Sequence, residues 1–325
     1  MTQAIESCIE QEYINWELII VNDLSNDSSP QIAEKYAALD NRIRVVHNEV
    51  NQKLPKTLNI GHQHAEGSYF TWISDDNLFK SNFLIEMLKA IQEQKVDFVY
   101  SDFTLIDNEG KVSGERNLGP ISTILFGNSV QASFLYTREM YEGLNGYQED
   151  LFLIEDYDFW LRASITFKSY HLKKSLYKYR KHEDSLTTDI ANNPKKTNQF
   201  VTGLQKSYTR LGVDLFSEPT IKALITAHLG KRLNLSFDHY DSIANENTLQ
   251  KEMKAYEDAA EIHDQYCQKR LNMLLFERFI NSQKTKNLKT AIYILCYRPK
   301  WLFHRRRKQD NIKFFLNYYF RKKVV

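Results

Sequence analysis

Through the first half of the chain, short continuous apolar runs alternate with stretches whose apolar residues recur every third or fourth position. "AIESCIEQEY" has helical spacing, and "WELIIVND" reads as a strand. "SSPQIAEKYAALD" reads as a helix with Ser29 as N-cap and Pro30 at its first position, followed by the strand "RIRVVHN". "LPKTLNIGHQHAEG" is a helix closed by Gly67, "YFTWIS" a third strand, and "SNFLIEMLKAIQEQ" a capped helix. "VDFVYSDFTLI" and "KVSG" then flank a turn at Asn108-Glu109-Gly110. Apolar strands separated by amphipathic helices predict an α/β fold with a mainly parallel sheet covered on both faces. After "TTDIANNPKKTN" the pattern turns almost wholly helical, which predicts a boundary near residue 190 between a domain at 1–190 and a helical region at 191–325.

Two of the predicted strands end in charge. "VND" closes the first at Asp23, and "SDD" closes the third at Ser74, Asp75 and Asp76. In open parallel sheets, ligands bind beyond the carboxyl ends of the strands, so these carboxylates lie where a ligand would. An Asp-Asp turn capping the following helix, and an Asx-turn at Asp23, are the purely structural alternatives.

Composition narrows the class. The 325 residues are 42% hydrophobic and 13% aromatic, which fits a globular protein and excludes a disordered one. Cys8, Cys267 and Cys296 are scattered and odd in number, the pattern of reduced thiols in a cytosolic protein. The opening residues lack a signal-peptide pattern, and no run approaches the length of a membrane span. The net charge of +2 conceals an asymmetry. Residues 284–325 carry 13 Lys or Arg and one acid, a net +12, against −10 for the rest. That tail interleaves Trp301, Phe303, Phe314, Phe315, Tyr318, Tyr319 and Phe320 with its cations. The pattern suits an anionic membrane surface, with a solvated basic helix as the plain alternative. No fold motif for nucleic acid accompanies it.

The stretch from "AIESCIEQEY" through "YFTWISDDN", with "GLNGYQEDLFLIEDYDFWLRA" and "YKYRKHEDSLT", resembles the family 2 glycosyltransferases of GT-A fold over roughly residues 3–190. The resemblance implies a nucleotide-diphospho-sugar transferase fold and transfer of a sugar from a nucleotide-sugar donor, a UDP-sugar first among them. It implies a glycan or lipid-linked acceptor, in bacterial surface polysaccharide synthesis at the cytoplasmic face of the membrane. The family's Asp-X-Asp signature falls on Ser74, Asp75 and Asp76. Asp76 then takes the metal-ligand position for Mn2+ or Mg2+, and Ser74 stands where an aspartate binds the ribose. Asp23 matches the residue that meets the nucleotide base. In "IEDYDFWLR", Asp156 matches the general base of an inverting displacement, which a sugar hydroxyl needs because it is a weak nucleophile until its proton leaves. Carboxylates in a helix's first turn also interact with the helix dipole, so capping is the bland reading of that pair. His182 corresponds to a histidine that can complete the metal site; otherwise it is a loop histidine. His62 and His64, two apart on a helix, point to different sides and read as structural.

Family members begin with an apolar strand and turn ahead of the helix matched by "AIESCIEQ". Because this chain starts inside that helix, the resemblance implies that the usual first strand is lacking, which would expose sheet edges. Two rivals to the transferase follow: a non-catalytic remnant or scaffold associated with a membrane-bound assembly complex, and a hydrolase of sugar nucleotides in which Asp156 activates water.

Overall fold

A computed structural model describes residues 1–183, 185–211, 215–229 and 247–262, with single positions at 267, 270, 271 and 274. The basic tail, on which the membrane expectation rests, lies outside the described residues. The expected order of elements is present. Helix α1 (Thr2–Ile9) is followed by β1 (Leu18–Asn22), α2 (Ser29–Leu39), β2 (Ile43–His47) and α3 (Leu54–His64). Next come β3 (Tyr69–Phe70), β4 (Leu78–Phe79), α4 (Phe83–Gln94), β5 (Phe98–Ile106) and β6 (Val112–Arg116). A 3-10 helix (Ile121–Phe126), β7 (Phe134–Thr137), α5 (Arg138–Gly143), α6 (Glu155–Thr166) and β8 (Ser169–Arg180) complete the α/β part. Helix bounds shift slightly from the sequence reading. Ser28 rather than Ser29 is the N-cap of α2, and α3 stops at His64, its C-cap being Ala65, before Gly67 is reached.

The strands form two sheets. β1 and β2 pair in parallel, Ile20 opposite Val45, as a two-stranded unit. The second sheet runs β3-β7-β5-β8-β4, with β6 also on β5. β5 is its buried centre, parallel to β8 and antiparallel to β7. The α/β class therefore holds, with parallel pairing among the described residues at β1–β2 and β5–β8. The third predicted strand is shorter than its apolar run. Only Tyr69 and Phe70 pair, antiparallel to β7, and residues 71–74 continue without a ladder. The reason is local: β1 bonds only to β2 and β3 only to β7 among the described residues, so nothing extends the ladder along 71–74. β1 shows the same effect in its burial. "LIIV" reads as a fully buried strand, yet every residue of β1 is only half-buried.

Beyond β8 the described elements are helices: α7 (Leu186–Asn192), α8 (Pro194–Leu211), α9 (Glu218–Leu229) and α10 (Asn247–Ala259). None of the described helices is long and apolar enough to cross a membrane. α8 packs on the start of α6. Gly203 permits the approach, since a Cβ there would meet Ile154 at 3.0 Å. Ser207 Oγ donates to Asp158 at 2.7 Å, and Tyr208 OH donates to the Leu125 carbonyl at 2.8 Å. Leu204, Tyr208 and Leu224 share one apolar core with β5 and α6. These contacts fix where α6 begins.

A second buried polar path runs from α3. His62 is buried and hydrogen-bonds the Leu58 carbonyl through Nδ1 (2.6 Å) and the Tyr136 hydroxyl through Nε2 (2.6 Å). A carbonyl only accepts, so Nδ1 carries the proton and Nε2 accepts from Tyr136. The path continues to Tyr147 (2.9 Å), whose hydroxyl accepts from Trp72 Nε1 (2.9 Å). His64, by contrast, is exposed. Burial pushes His62 from 6.5 down to about 4, with the positive charge of Arg138 adding to the effect. The unfolded chain therefore binds a proton that the folded one refuses. The His62 contribution is whole above about pH 6.5 and is lost as pH falls toward 4, a change on the order of 3 kcal/mol. We expect the urea-unfolding gap between wild type and His62→Gln to shrink progressively through that acid window. A gap independent of pH would contradict the neutral buried imidazole.

Candidate functional site

The chain from β3 to β4 crosses from one side of the six-stranded sheet to the other, since β3 pairs with β7 and β4 with β8. The crossing is made by Thr71 to Asn77 and carries the Ser74-Asp75-Asp76 turn. Asn77, buried, holds the turn to β8 by accepting from the Arg180 backbone N–H at 2.7 Å. The Arg180 guanidinium completes the attachment. It donates to the carbonyls of Asp76 (2.8 Å), Asp107 (3.0 Å) and Asn108 (3.0 Å), and to Gln3 Oε1 (2.7 Å). Two residues beyond Arg180, His182 Nε2 lies 2.8 Å from Asp76 Oδ2. Thus Asp76 and His182, 106 positions apart in sequence, meet directly. Asp75 is exposed beside them and Ser74 half-buried, its carbonyl accepting from Asn77 N–H at 3.2 Å.

The second oxygen of the Asp76 carboxylate, Oδ1, is buried and has no hydrogen-bond partner. A buried carboxylate oxygen left unpaired is costly unless a cation or donor meets it. A carboxylate oxygen suits Mn2+ or Mg2+, and neutral imidazole suits Mn2+ better than Mg2+. Among the described residues no cluster of three or more His, Cys, Asp or Glu forms a ready-made cage. The pair therefore fits a cation that takes its remaining ligands from phosphate oxygens and water, as Mg2+ commonly does.

Asp23 sits at the end of β1 and organises the loop after β2. Its Oδ1 accepts from Asn48 Nδ2 (2.9 Å) and Gln52 N–H (2.7 Å), and its Oδ2 from Lys53 N–H (3.0 Å). Three of the roughly four lone-pair positions of a carboxylate are thus used, leaving one on Oδ2. Lys53 is held at a φ of 68°, a left-handed conformation uncommon for a side-chain-bearing residue.

The third group opens α6. Glu155, Asp156 and Asp158 fall in its first turn. Each carboxylate has its own partner. Glu155 Oε2 accepts from Leu153 N–H at 2.8 Å, which holds Leu153 at a φ of 84°. Asp156 Oδ1 accepts from Tyr157 N–H (2.6 Å) and Oδ2 from Asn128 Nδ2 (2.8 Å). Asp158, buried, is paired with Arg162 Nε at 2.8 Å. Burial raises the Asp156 carboxyl above the usual range, while the Tyr157 and Asn128 bonds oppose that rise. Glu155 is raised too, first by burial and then by the charge of Asp156. A carboxylate of raised proton affinity can accept a proton from a hydroxyl more readily than an ordinary one.

The six residues singled out in the sequence thus fall into three groups, of which only Asp76 and His182 touch. Asp156 hydrogen-bonds neither of them among the described residues. Sequence reading missed Asn77, Arg180 and Asn128. Arg180 was within reach, since it alternates with His182 along the end of an aromatic strand. Asn128 sits in an unpatterned loop and left no signal.

Comparison with known proteins agrees with this arrangement. The profile of "Glycosyl transferase family 2" matches residues 1–155. "Putative glycosyltransferase EpsE" of Bacillus subtilis (strain 168) is 31% identical over 193 residues, covering 57% of this chain and 69% of EpsE. An uncharacterized glycosyltransferase of Rickettsia bellii is 29% identical over 232 residues, covering 69% of this chain and only 33% of the rickettsial protein. In structure, the chain is similar to S. aureus TarS 1–349 in complex with UDP (TM-score 0.53, 17% identity, 91% of this chain and 88% of TarS 1–349). It is also similar to the UDP-GlcNAc complex (TM-score 0.56, 17% identity, 87% and 85%). With the strand-end carboxylates, the Glu-Asp helix start and a GT-A-type fold in agreement, this chain belongs to the family 2 glycosyltransferases.

Proposed function

We propose that the protein is an inverting glycosyltransferase that moves a sugar from a nucleotide-diphosphate donor, a UDP-sugar, to a glycan or lipid-linked acceptor of a bacterial surface polysaccharide. The observation that carries this reading is Asp76, with one carboxylate oxygen on His182 and the other buried without a partner. Asp76 and His182 would hold a divalent cation, and a bound cation neutralises charge on the departing diphosphate. Asp23 would offer its remaining lone pair to the nucleobase, Ser74 would meet the ribose, and Asp75, between Ser74 and Asp76, would line the nucleotide-sugar. A hydroxyl at Ser74 can bond a ribose hydroxyl but adds no charge. Asp156 accepts the proton of the acceptor hydroxyl as that oxygen attacks the anomeric carbon and the diphosphate leaves from the opposite face, which inverts the centre. The UDP and UDP-GlcNAc complexes of TarS support a UDP-sugar as the donor class.

In this reading residues 1–190 form the transferase domain and residues 191–325 the helical region, whose basic end docks the enzyme on the inner face of the membrane. The division of strands into two sheets favours one rival, a scaffold without turnover.

One experiment separates the readings. In Mn2+, UDP binding measured by calorimetry should weaken about tenfold or more in Asp76→Asn, roughly 1.4 kcal/mol. In Asp156→Asn that affinity should persist, while transfer of labelled sugar from UDP-GlcNAc to membrane-lipid acceptors falls by about 100-fold or more. Metal-dependent binding that survives in Asp76→Asn rules out the metal assignment. Absence of transfer and of UDP binding in the wild type would favour the scaffold.

The tail yields a separate prediction. Its net +12 and interleaved aromatics should bind vesicles containing phosphatidylglycerol, with affinity falling as salt screens the charges. Deleting residues 300–325 should release the protein in a flotation assay without lowering its melting temperature. Equal flotation of both forms would exclude the tail as the membrane contact.

A further inference from the structure

Asn128 lies in the loop between the 3-10 helix and β7, and the two ends of its side chain perform different tasks. Its Oδ1 accepts from the backbone N–H groups of Val130 (3.2 Å) and Gln131 (2.8 Å). Only an oxygen can accept from two N–H donors, so the orientation of the carboxamide is decided by its own loop. Its Nδ2 must then face Asp156, and it donates to Oδ2 at 2.8 Å. Gln131, at a φ of 56°, shows that the turn is kept in an unfavourable backbone region to hold this arrangement.

The consequence falls on Asp156. Its two oxygens accept one bond each, from Tyr157 N–H and from Asn128, which fixes the rotation of the carboxylate and leaves a lone pair free on each oxygen. An amide N–H can donate to a carboxylate but has nothing to accept from a protonated one, so the contact favours the ionised form. Burial acts the other way on Asp156 by disfavouring ionisation, and the Asp156 charge in turn raises the proton affinity of Glu155 beside it and of Tyr147 nearby.

We propose that Asn128 is a positioning residue for sugar transfer: it holds Asp156 ionised and in one orientation, ready to take the acceptor proton. The inference rests on the reading of Asp156 as the base. The proton passes from the acceptor hydroxyl to Asp156, the freed oxygen pair bonds the anomeric carbon, and the diphosphate departs with the electrons of the broken bond.

The test uses the full chain labelled with 13Cγ-aspartate, the Asp156 resonance being assigned by its loss in Asp156→Asn. Asn128→Asp keeps an oxygen for Val130 and Gln131 but replaces the donor with a second carboxylate; Asn128→Ala removes both functions. In each, the Asp156 titration midpoint should rise by about one pH unit or more, the scale of one lost charge-assisted hydrogen bond. The acidic limb of the transfer rate with UDP-GlcNAc should rise with it, while UDP affinity in Mn2+ stays within about twofold, since Asn128 touches no proposed donor ligand. An unmoved midpoint in Asn128→Asp, with the near-ultraviolet circular dichroism of the wild type, overturns the proposal even if Asn128→Ala fails to fold. Transfer retained by Asp156→Asn would instead remove the base assignment and with it the catalytic role given to Asn128, whatever the midpoint does.

Discussion

Three carboxylates share the first turn of α6, and the site depends on how their repulsion is resolved. Placed within four residues and close to the apolar core, Glu155, Asp156 and Asp158 would repel one another and disrupt the helix start. The helix dipole relieves part of this. The rest is handled by giving each carboxylate a different neighbour. Asp158 is turned inward to Arg162 and to Ser207 of α8, Glu155 turns back to Leu153 N–H, and Asp156 is left facing Asn128. The helical region is thus more than an appendage, because Ser207 of α8 supplies one of the contacts that hold Asp158.

The Asp76–His182 pair is fixed by a different means. It lies on a turn whose two ends join different positions of the sheet, so the turn itself cannot slide. Arg180 then fastens it by donating to three carbonyls and to the side chain of Gln3, linking α1 to the site. An arginine with so many partners is poorly replaced by lysine, whose ammonium cannot span them. The aromatic path from His62 to Trp72 secures the other end of the crossing, so the carboxylate turn is anchored on both sides before any ligand arrives.

The division of the strands into two sheets has a visible cost. β1 is the most uniformly apolar of the early strands, yet it is half-buried throughout, and the apolar run after β3 continues for four residues without a ladder. Exposed strand edges invite pairing with other chains. Asp23 offsets part of this by binding the Asn48–Lys53 loop across the end of β1.

Periodicity alone was enough to predict the alternating elements from α1 to β6 except the short β4, because apolar spacing reports burial directly, but it left β7 and α5 unmarked. The carboxylates at residues 74–76 were legible because they place charge where a strand ends, and Asp156 and His182 through the resemblance of their flanking motifs, whereas Arg180 was missed. Pairing between strands was not legible: an apolar run states that a strand is buried but not which neighbour it meets, and only tertiary structure decided that β3 lies antiparallel to β7 and apart from β1. The same holds for the site's supporting residues. Asp76 finds His182 across 106 positions, and Asn128 finds Asp156 from a loop without pattern, because a hydrogen bond depends on distance in space, which the sheet crossing and the α6–α8 packing create.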